Sequence, residues 1–307
     1  MDNKKLNGKL VGLIPAVITP MDKNGDINPP QVEKIMRHLK QQDISAIFVC
    51  GSTGEGTSMS IPERKEILSA YQEYSDELPV IAQVGDECIR DAIQMAEYAA
   101  KIGVDGIAAL PPRYFTPRNP EHLKKCIKNI ADVNKRLPFY YYHIPGLSGV
   151  HINMYEFLKL CDGTIENLKG IKFSYNDFPD MLQCVQYKGG EYNIFHGLDQ
   201  TLLNGLTMGV QATIGSGYNF AAPLYHDLIQ AFQNNDLDKA REYQNRSIKM
   251  MDIIMNEYRG HPAFKAMMKI IGIDCGPTRL PLETLSSDEI KNLEKDLRKL
   301  GFFEWIE

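Results

Sequence analysis

Short apolar runs alternate with longer segments of helical periodicity along most of the chain. The segments between the runs, such as "IPERKEILSAYQEY" and "IRDAIQMAEYAAKIG", place apolar residues three and four apart, as amphipathic helices do. Almost wholly apolar runs are typical of strands covered on both faces, and strand alternating with helix predicts parallel pairing. The predicted strands are "VGLIPAVITP", "AIFVCG", "PVIAQVG", "GIAALPP", "FYYYHIP", "LKGIKFS", "NIFHG" and "QATIGSG".

This pattern predicts a (β/α)8 TIM barrel. Eight strand–helix units in roughly 220 residues approach the size of such barrels, about 250 residues. A doubly wound open sheet is the alternative, but it is expected to carry a Gly-rich fingerprint after its first strand, and "AVITPMDKNG" has none. From about residue 225 the pattern is helical throughout. We therefore expect a barrel over residues 1–224 and a C-terminal helical appendage over residues 225–307, whose last helix has a serine N-cap.

Composition and charge narrow the class of protein. The net charge of the 307 residues is -5 without a block of like charges, which argues against nucleic acid or an anionic membrane as a partner. The N-terminus "MDNKKLNGKL" has no apolar core of a signal peptide, and no apolar run approaches the length of a membrane span. The six cysteines are scattered, which predicts reduced thiols. We expect a cytoplasmic protein.

Lys172 raises the first question about chemistry, because it lies inside an apolar strand between Ile171 and Phe173. A lysine on an exposed edge strand is the ordinary explanation, but a closed barrel has no edge. Side chains alternate faces along a strand, so Lys172 and Ser174 face the lumen if the apolar neighbours face the helices. A buried ammonium needs a partner or a chemical function. A structural ion pair with a carboxylate is the remaining non-catalytic explanation.

Tyr142 is expected to meet Lys172 at the mouth of the barrel. Tyr142 and Ile144 share one face of the preceding strand, while Tyr141 and His143 share the other, where His143 is interpreted as a packing residue. A lysine whose pKa is lowered from about 10.4 by desolvation can attack a ketone and form a Schiff base. A tyrosine hydroxyl can relay the proton. Core packing is the alternative role for Tyr142.

The turn "GSTGEG" follows the second strand and supplies polar groups to the same end of the barrel. Ser52, Thr53 and the backbone N–H groups of this turn can hold a carboxylate, so the set suits aldol cleavage of a 2-keto acid. Glu55 is interpreted as a cap or brace of the turn. His196 and Asp199 lack the neighbours of a metal site. A phosphate site at "IGSGYN" is a further alternative, weakened because no basic residue lies beside the glycines.

Together these motifs resemble the N-acetylneuraminate lyase and dihydrodipicolinate synthase family of pyruvate-dependent class I aldolases. The similarity runs from "AVITPMDKNGDIN" through "GSTGEG", "LPFYYYHIPGLSGV", "IKFS" and "IGSGYN". It implies a Schiff base on Lys172, a proton relay through Tyr142, and binding of the pyruvate carboxylate by Ser52 and Thr53. Tyr114 falls at an aromatic position that in many members reaches across a subunit interface toward Thr53. The resemblance also implies a homotetramer and a reaction without a metal or organic cofactor.

The loop after the fifth strand indicates a branch of the family. Synthase members carry an arginine where this chain has Leu147, and "YYYHIPGLSGV" resembles the lyase branch. Lyases carry a glutamate where this chain has Gln200, which keeps hydrogen-bonding capacity without the charge. Lyase residues that hold the sugar chain match Ser174, Gly197, Asp199, Gln200 and Ser216. The expected reaction is cleavage of N-acetylneuraminate to N-acetylmannosamine and pyruvate. Alternatives are dihydrodipicolinate synthase, another sugar-acid aldolase, or a non-catalytic sugar-acid or pyruvate sensor.

Overall fold

A computed structural model of the chain describes residues 5–6 and 8–306, and eight parallel strands form its central sheet. From the second strand to the eighth, each strand pairs with the next in sequence, and the eighth strand pairs with the first. Between the first and second strands an isolated bridge joins Ala16 to Phe48, and the Val17 N–H donates to the Phe48 carbonyl at 3.0 Å, which closes the barrel. The predicted (β/α)8 barrel is confirmed. Its strands are β1 (Gly12–Pro15), β2 (Ile47–Val49), β3 (Val80–Gln83), β4 (Gly106–Ala109), β5 (Phe139–His143), β6 (Leu168–Phe173), β7 (Asn193–His196) and β8 (Ala212–Gly215).

Helices surround this barrel and continue beyond it. At the last helix, Ser286 forms a capping box with Glu289, which confirms the predicted serine N-cap. A short antiparallel pair, Lys5–Leu6 with Lys9–Leu10, precedes β1. The helices are α1 (Val32–Lys40), α2 (Ile61–Gln72), α3 (Ile89–Ile102), α4 (Pro120–Ala131), α5 (Pro145–Ser148), α6 (Met154–Cys161), α7 (Phe178–Gln186), α8 (Leu202–Thr207), α9 (Ala222–Gln233), α10 (Leu237–Asp252), α11 (His261–Ile270) and α12 (Ser287–Leu300).

Side chains on the two faces of the strands pack into two different apolar clusters, as the alternation of side chains along a strand predicts. Tyr141 and Phe173 belong to the large apolar cluster between strands and helices, and the His143 ring packs 5.0 Å from the Phe173 ring. Tyr142 belongs with Phe48 to a smaller cluster inside the barrel. The predicted packing role of His143 is therefore confirmed, and Tyr142 faces the lumen.

The C-terminal helices share the barrel's core. One continuous apolar cluster contains Leu13 of β1 and Leu293 of α12. The predicted boundary between the barrel and the helical appendage, at residue 224, falls in the first turn of α9. This helix contacts β1. We propose that α9 completes the barrel and that the helical appendage begins with Leu237 of α10. No helix of the described residues combines the length and the apolar character needed to cross a bilayer.

Candidate active site

A cavity of about 300 Å³ opens where the barrel strands end. Every predicted site residue except Tyr114 lines it. These residues are Ser52, Thr53, Tyr142, Lys172, Ser174, Gly197, Asp199, Gln200 and Ser216. They lie in the last residues of β5 and β6 or just after β2, β6, β7 and β8, so the fold gathers at one end of the barrel groups that are far apart in the chain.

The Lys172 amine is buried among aromatic rings. Lys172 and Tyr142 are register partners on β6 and β5. Lys172 Nζ lies 4.0 Å from the centroid of the Tyr142 ring and 4.1 Å from that of Phe48, and the residue is only 3% exposed. Burial lowers the pKa of Lys172, although interactions with Tyr142 and Asp199 oppose the shift. Lys172 forms no ion pair with a carboxylate of the described residues, so the geometry does not support the structural ion-pair explanation.

The Tyr142 hydroxyl connects the lysine to the Gly-rich turn. It lies 3.4 Å from Ser52 Oγ and also interacts with the Lys172 amine. Its ring packs edge-on against Phe48, with centroids 5.6 Å apart. This arrangement holds a hydroxyl group beside the amine, with a second hydroxyl behind it, as a proton relay requires.

Hydrogen bonds hold the Ser52–Thr53 turn in place but leave two of its backbone N–H groups without an acceptor in the described residues. Thr53 Oγ1 lies 2.6 Å from Ser216 Oγ, which links the end of β2 to the loop after β8. The Glu55 N–H donates to the Ser52 carbonyl at 3.0 Å and closes the turn. The backbone N–H groups of Ser52 and Thr53 donate to no other group in residues 8–306. They therefore remain available to an anion at this edge of the cavity.

Gly197 allows β6 and β7 to approach closely at the cavity wall. A Cβ atom at position 197 would lie 2.0 Å from Ser174 Oγ, which leaves room for glycine alone. Ser174 Oγ is buried and has no hydrogen-bond partner within the described part of the chain. A buried hydroxyl without a partner is costly, so a ligand hydroxyl is a fitting partner for it.

Asp199 is held in place by the helical appendage. Its backbone carbonyl accepts hydrogen bonds from Ser247 Oγ at 3.1 Å and Gln244 Nε2 at 3.2 Å, both from α10. Its Oδ2 accepts from the Gly217 N–H at 2.9 Å. Burial raises the pKa of Asp199, and this backbone hydrogen bond opposes the rise. The neighbouring Gln200 also lines the cavity, so the two side chains offer acceptors and donors to a polyhydroxyl ligand.

The sequence interpretation missed a wall of the cavity. Met251, Met255, His261 and Phe264 line it from α10, α11 and the π-helical turn between them. One signal was available: the segment "PAFKAMM" is apolar nearly all round, and such a helix is buried. The pattern does not reveal which surface that helix covers.

Tyr114 lies outside the cavity of its own chain. Tyr114 and Phe115 are 84% and 85% exposed, and their rings pack edge-on against each other. The Tyr114 N–H donates to a Glu87 carboxylate oxygen at 3.0 Å, which fixes the backbone of this loop. Contact between Tyr114 and Thr53 therefore requires a second copy of the chain and stays a prediction.

His196 does not take part in a metal site among the described residues. Within these residues no three His, Cys, Asp or Glu side chains gather as metal ligands would. His196 Nε2 lies 3.1 Å from Thr201 Oγ1, and burial lowers the pKa of His196 to about 4. A neutral, hydrogen-bonded core histidine fits these contacts.

Comparison with known proteins gives matches over nearly the whole chain. Residues 9–300 match the dihydrodipicolinate synthetase family. The N-acetylneuraminate lyase of Rattus norvegicus is 36% identical over 302 residues, which cover 97% of this chain and 94% of that protein. The solved N-acetylneuraminate lyase of Proteus mirabilis has a TM-score of 0.92 at 32% identity, covering 96% of this chain and 99% of its own. The sialic acid aldolase of Aliivibrio salmonicida has a TM-score of 0.92 at 33% identity, covering 96% and 98%.

Proposed function

Because the chain belongs to the dihydrodipicolinate synthetase family, we propose that it is a Schiff-base aldolase that cleaves N-acetylneuraminate to N-acetylmannosamine and pyruvate. One observation carries this proposal: the buried Lys172 amine, without an ion-pair partner in the described residues, lies against Tyr142 at the mouth of a barrel. The lyases of rat and Proteus mirabilis support the choice of substrate, since the chain resembles both over nearly its full length.

The reaction begins with the keto carbon of the open-chain substrate. The neutral Lys172 amine attacks C2, and the hydroxyl formed there leaves as water by taking the proton of the Tyr142 hydroxyl, which gives a protonated imine and a Tyr142 phenolate. The C4 hydroxyl then gives its proton to Tyr142 while the C3–C4 bond breaks, and the imine takes up the electron pair. N-acetylmannosamine leaves as the aldehyde. The remaining enamine is protonated at C3, and water releases pyruvate and restores the amine. The imine is the electron sink, so these steps use no metal or organic cofactor.

The two ends of the substrate bind to different walls. The hydroxyls of Ser52 and Thr53, together with their backbone N–H groups, bind the carboxylate next to C2. We assign Tyr114 of a neighbouring subunit to the same end, and its exposure in the single chain supports a homo-oligomer, which we infer to be a tetramer working in the cytoplasm. The hydroxyls of the sugar tail bind at the opposite wall, formed by Ser174, Gly197, Asp199, Gln200 and Ser216.

Leu147 favours the lyase over the synthase. It occupies the place where the synthase branch carries a carboxylate-binding arginine, and it lines the cavity with an apolar side chain. Among the described residues, Lys172 is the only lysine or arginine that lines this cavity, so the cavity wall at Leu147 supplies no cation for a second carboxylate. The sugar tail of N-acetylneuraminate carries hydroxyl and amide groups and no such charge, so it needs none.

Covalent trapping tests the proposal directly. Borohydride added with pyruvate should reduce the imine onto one lysine, because reduction converts the Schiff base into a stable amine. Mass mapping should find the adduct on Lys172, in the peptide segment "GIKFS". A label on another lysine, or active enzyme without a label, contradicts the mechanism. Pyruvate release from N-acetylneuraminate above the level of a Lys172→Ala variant separates an enzyme from a sensor.

Gln200→Glu should improve binding of the sugar tail. A carboxylate accepts two hydroxyl hydrogen bonds, and charge-assisted bonds are about twice as strong as neutral ones. We expect the KM for N-acetylneuraminate to fall several-fold, corresponding to about 1 kcal/mol. Pyruvate trapping at the opposite wall should be unchanged, which serves as the internal control. Wild-type enzyme that ignores N-acetylneuraminate but cleaves a shorter keto acid would instead indicate another pyruvate aldolase.

A further inference from the structure

A buried ion pair lies behind the Ser52–Thr53 turn, outside the candidate site. Lys265 Nζ of α11 is 2.7 Å from Glu55 Oε1, and the side chains are 5% and 2% exposed. Lys265 also donates to the Pro277 carbonyl at 2.6 Å. Neither charged side chain lines the cavity that holds Lys172. Both side chains are buried, so any role of the pair in the reaction acts through the residues that it holds.

Glu55 holds a strained part of the turn. Its φ is +54°, and that of Cys50, just before the turn, is +60°; both lie in the left-handed region that non-glycine residues seldom adopt. The chain returns so tightly that a Cβ atom at Gly56 would lie 1.9 Å from the Cys50 carbonyl oxygen. The Glu55 side chain also accepts the Arg279 N–H at 2.9 Å through Oε2. Such strain persists only where the surroundings over-determine it, and here the side chain of Glu55 supplies the fixed contacts.

Lys265 belongs to the helix that forms the missed wall of the cavity. Phe264, beside it in the chain, and His261, one turn earlier, both line the cavity. Glu55 follows two residues after Thr53. We propose that the Glu55–Lys265 pair is a positioning device that fixes the carboxylate-binding turn relative to α11. This inference rests on the proposed function, in which that turn binds the pyruvate carboxylate.

The double variant Glu55→Gln/Lys265→Met tests the proposal. Either single change leaves a buried charge without its partner and should destabilise the fold, whereas the double variant removes both charges and keeps an acceptor for the Arg279 N–H. The measurements are the melting temperature, the pyruvate dissociation constant by calorimetry, and the rate of borohydride-trapped adduct formation at saturating pyruvate. We expect a melting temperature near that of wild type. We also expect pyruvate binding weakened by at least about tenfold, with the rate at saturation little changed.

Asp162→Asn is the matched control. It removes the ion pair with Lys188 at the opposite end of the barrel, before β6 and β7, and should leave pyruvate binding unchanged. The proposal is overturned if the double variant binds pyruvate as tightly as wild type, or if the control weakens binding equally. It is also overturned if the double variant fails to fold, because the pair would then be a requirement of folding. Absence of a wild-type adduct on Lys172 would reject the proposed function alone, since calorimetry still measures pyruvate binding.

Discussion

Lys172→Met should abolish pyruvate release and at the same time stabilise the protein. Loss of the nucleophile removes the imine pathway, so kcat should fall by at least about 10⁴-fold. The stability gain follows from burial: wild type holds an amine without an ion-pair partner in the described residues, against the rings of Tyr142 and Phe48. A methionine fills similar space and makes favourable sulfur–aromatic contacts. We expect the free energy of unfolding to rise by about 1 kcal/mol or more.

The stability gain should depend on pH in a defined direction. The folded-state pKa of Lys172 is lowered by burial from the ordinary lysine value of 10.5, so between the two pKa values the unfolded chain binds more protons than the folded one. Wild-type stability attributable to this group therefore rises with pH across that window. The methionine variant lacks the group. Its advantage over wild type should be greatest below the folded-state pKa of Lys172 and should shrink as the pH approaches 10.5.

Lys169→Met provides the control on the same strand. Lys169 lies on β6 and its side chain is exposed, so its removal should change neither pyruvate release nor the pH dependence of unfolding. Chemical unfolding at a series of pH values, run for wild type and both variants, measures the effect. A Lys172→Met variant that is less stable than wild type at neutral pH would contradict the prediction, because it would show that the contacts of the amine with Tyr142 and Phe48 outweigh the cost of burying it.

Tyr142→Phe should slow the reaction while preserving the fold. If the hydroxyl relays the C4 proton, kcat should fall by about 10²–10⁴-fold. The ring remains, so its edge-on contact with Phe48 and the packing inside the barrel remain too. Steady-state kinetics with N-acetylneuraminate and a thermal unfolding curve measure the two effects separately.

Tyr140→Phe is the matched change for this experiment. Tyr140 faces the lumen on the same strand and packs 5.0 Å from the Phe195 ring, but it does not line the cavity. Its loss of a hydroxyl should leave kcat nearly unchanged. Similar losses of activity in the two variants, or a loss in Tyr142→Phe that follows its melting temperature, would favour core packing as the role of Tyr142.

The meeting of Lys172 and Tyr142 was predictable from the sequence. The two-residue period of a strand assigns each side chain to one face, and the order of strands in a barrel makes β5 and β6 neighbours. Their register is then constrained, because a shift of one residue would turn Tyr141 and Phe173 into the lumen. The structure pairs Tyr142 with Lys172 directly.

The C-terminal wall and its ion pair were not predictable in this way. The periodicity of α11 shows that nearly all of its surface is buried, but not that His261 and Phe264 face the cavity. Glu55 was interpreted as a cap or brace of the turn, but no local pattern identifies Lys265 as its partner. The role of Tyr114 could not be predicted from the strand pattern either. A contact between subunits depends on how copies of the chain assemble, and the two-residue period of a strand carries no information about assembly.

The route of the chain also sets an order in which a ribosome can complete this pocket. The Gly-rich turn is made early, whereas Phe264 and Lys265 emerge about 210 residues after Glu55. At translation rates of about 5 to 20 residues per second, that interval is about 10 to 40 seconds. During this interval the nascent chain lacks Lys265, which is the ion-pair partner of Glu55, and it also lacks one wall of the cavity. A message truncated after β8 would therefore encode every proposed catalytic residue and still yield no finished binding pocket.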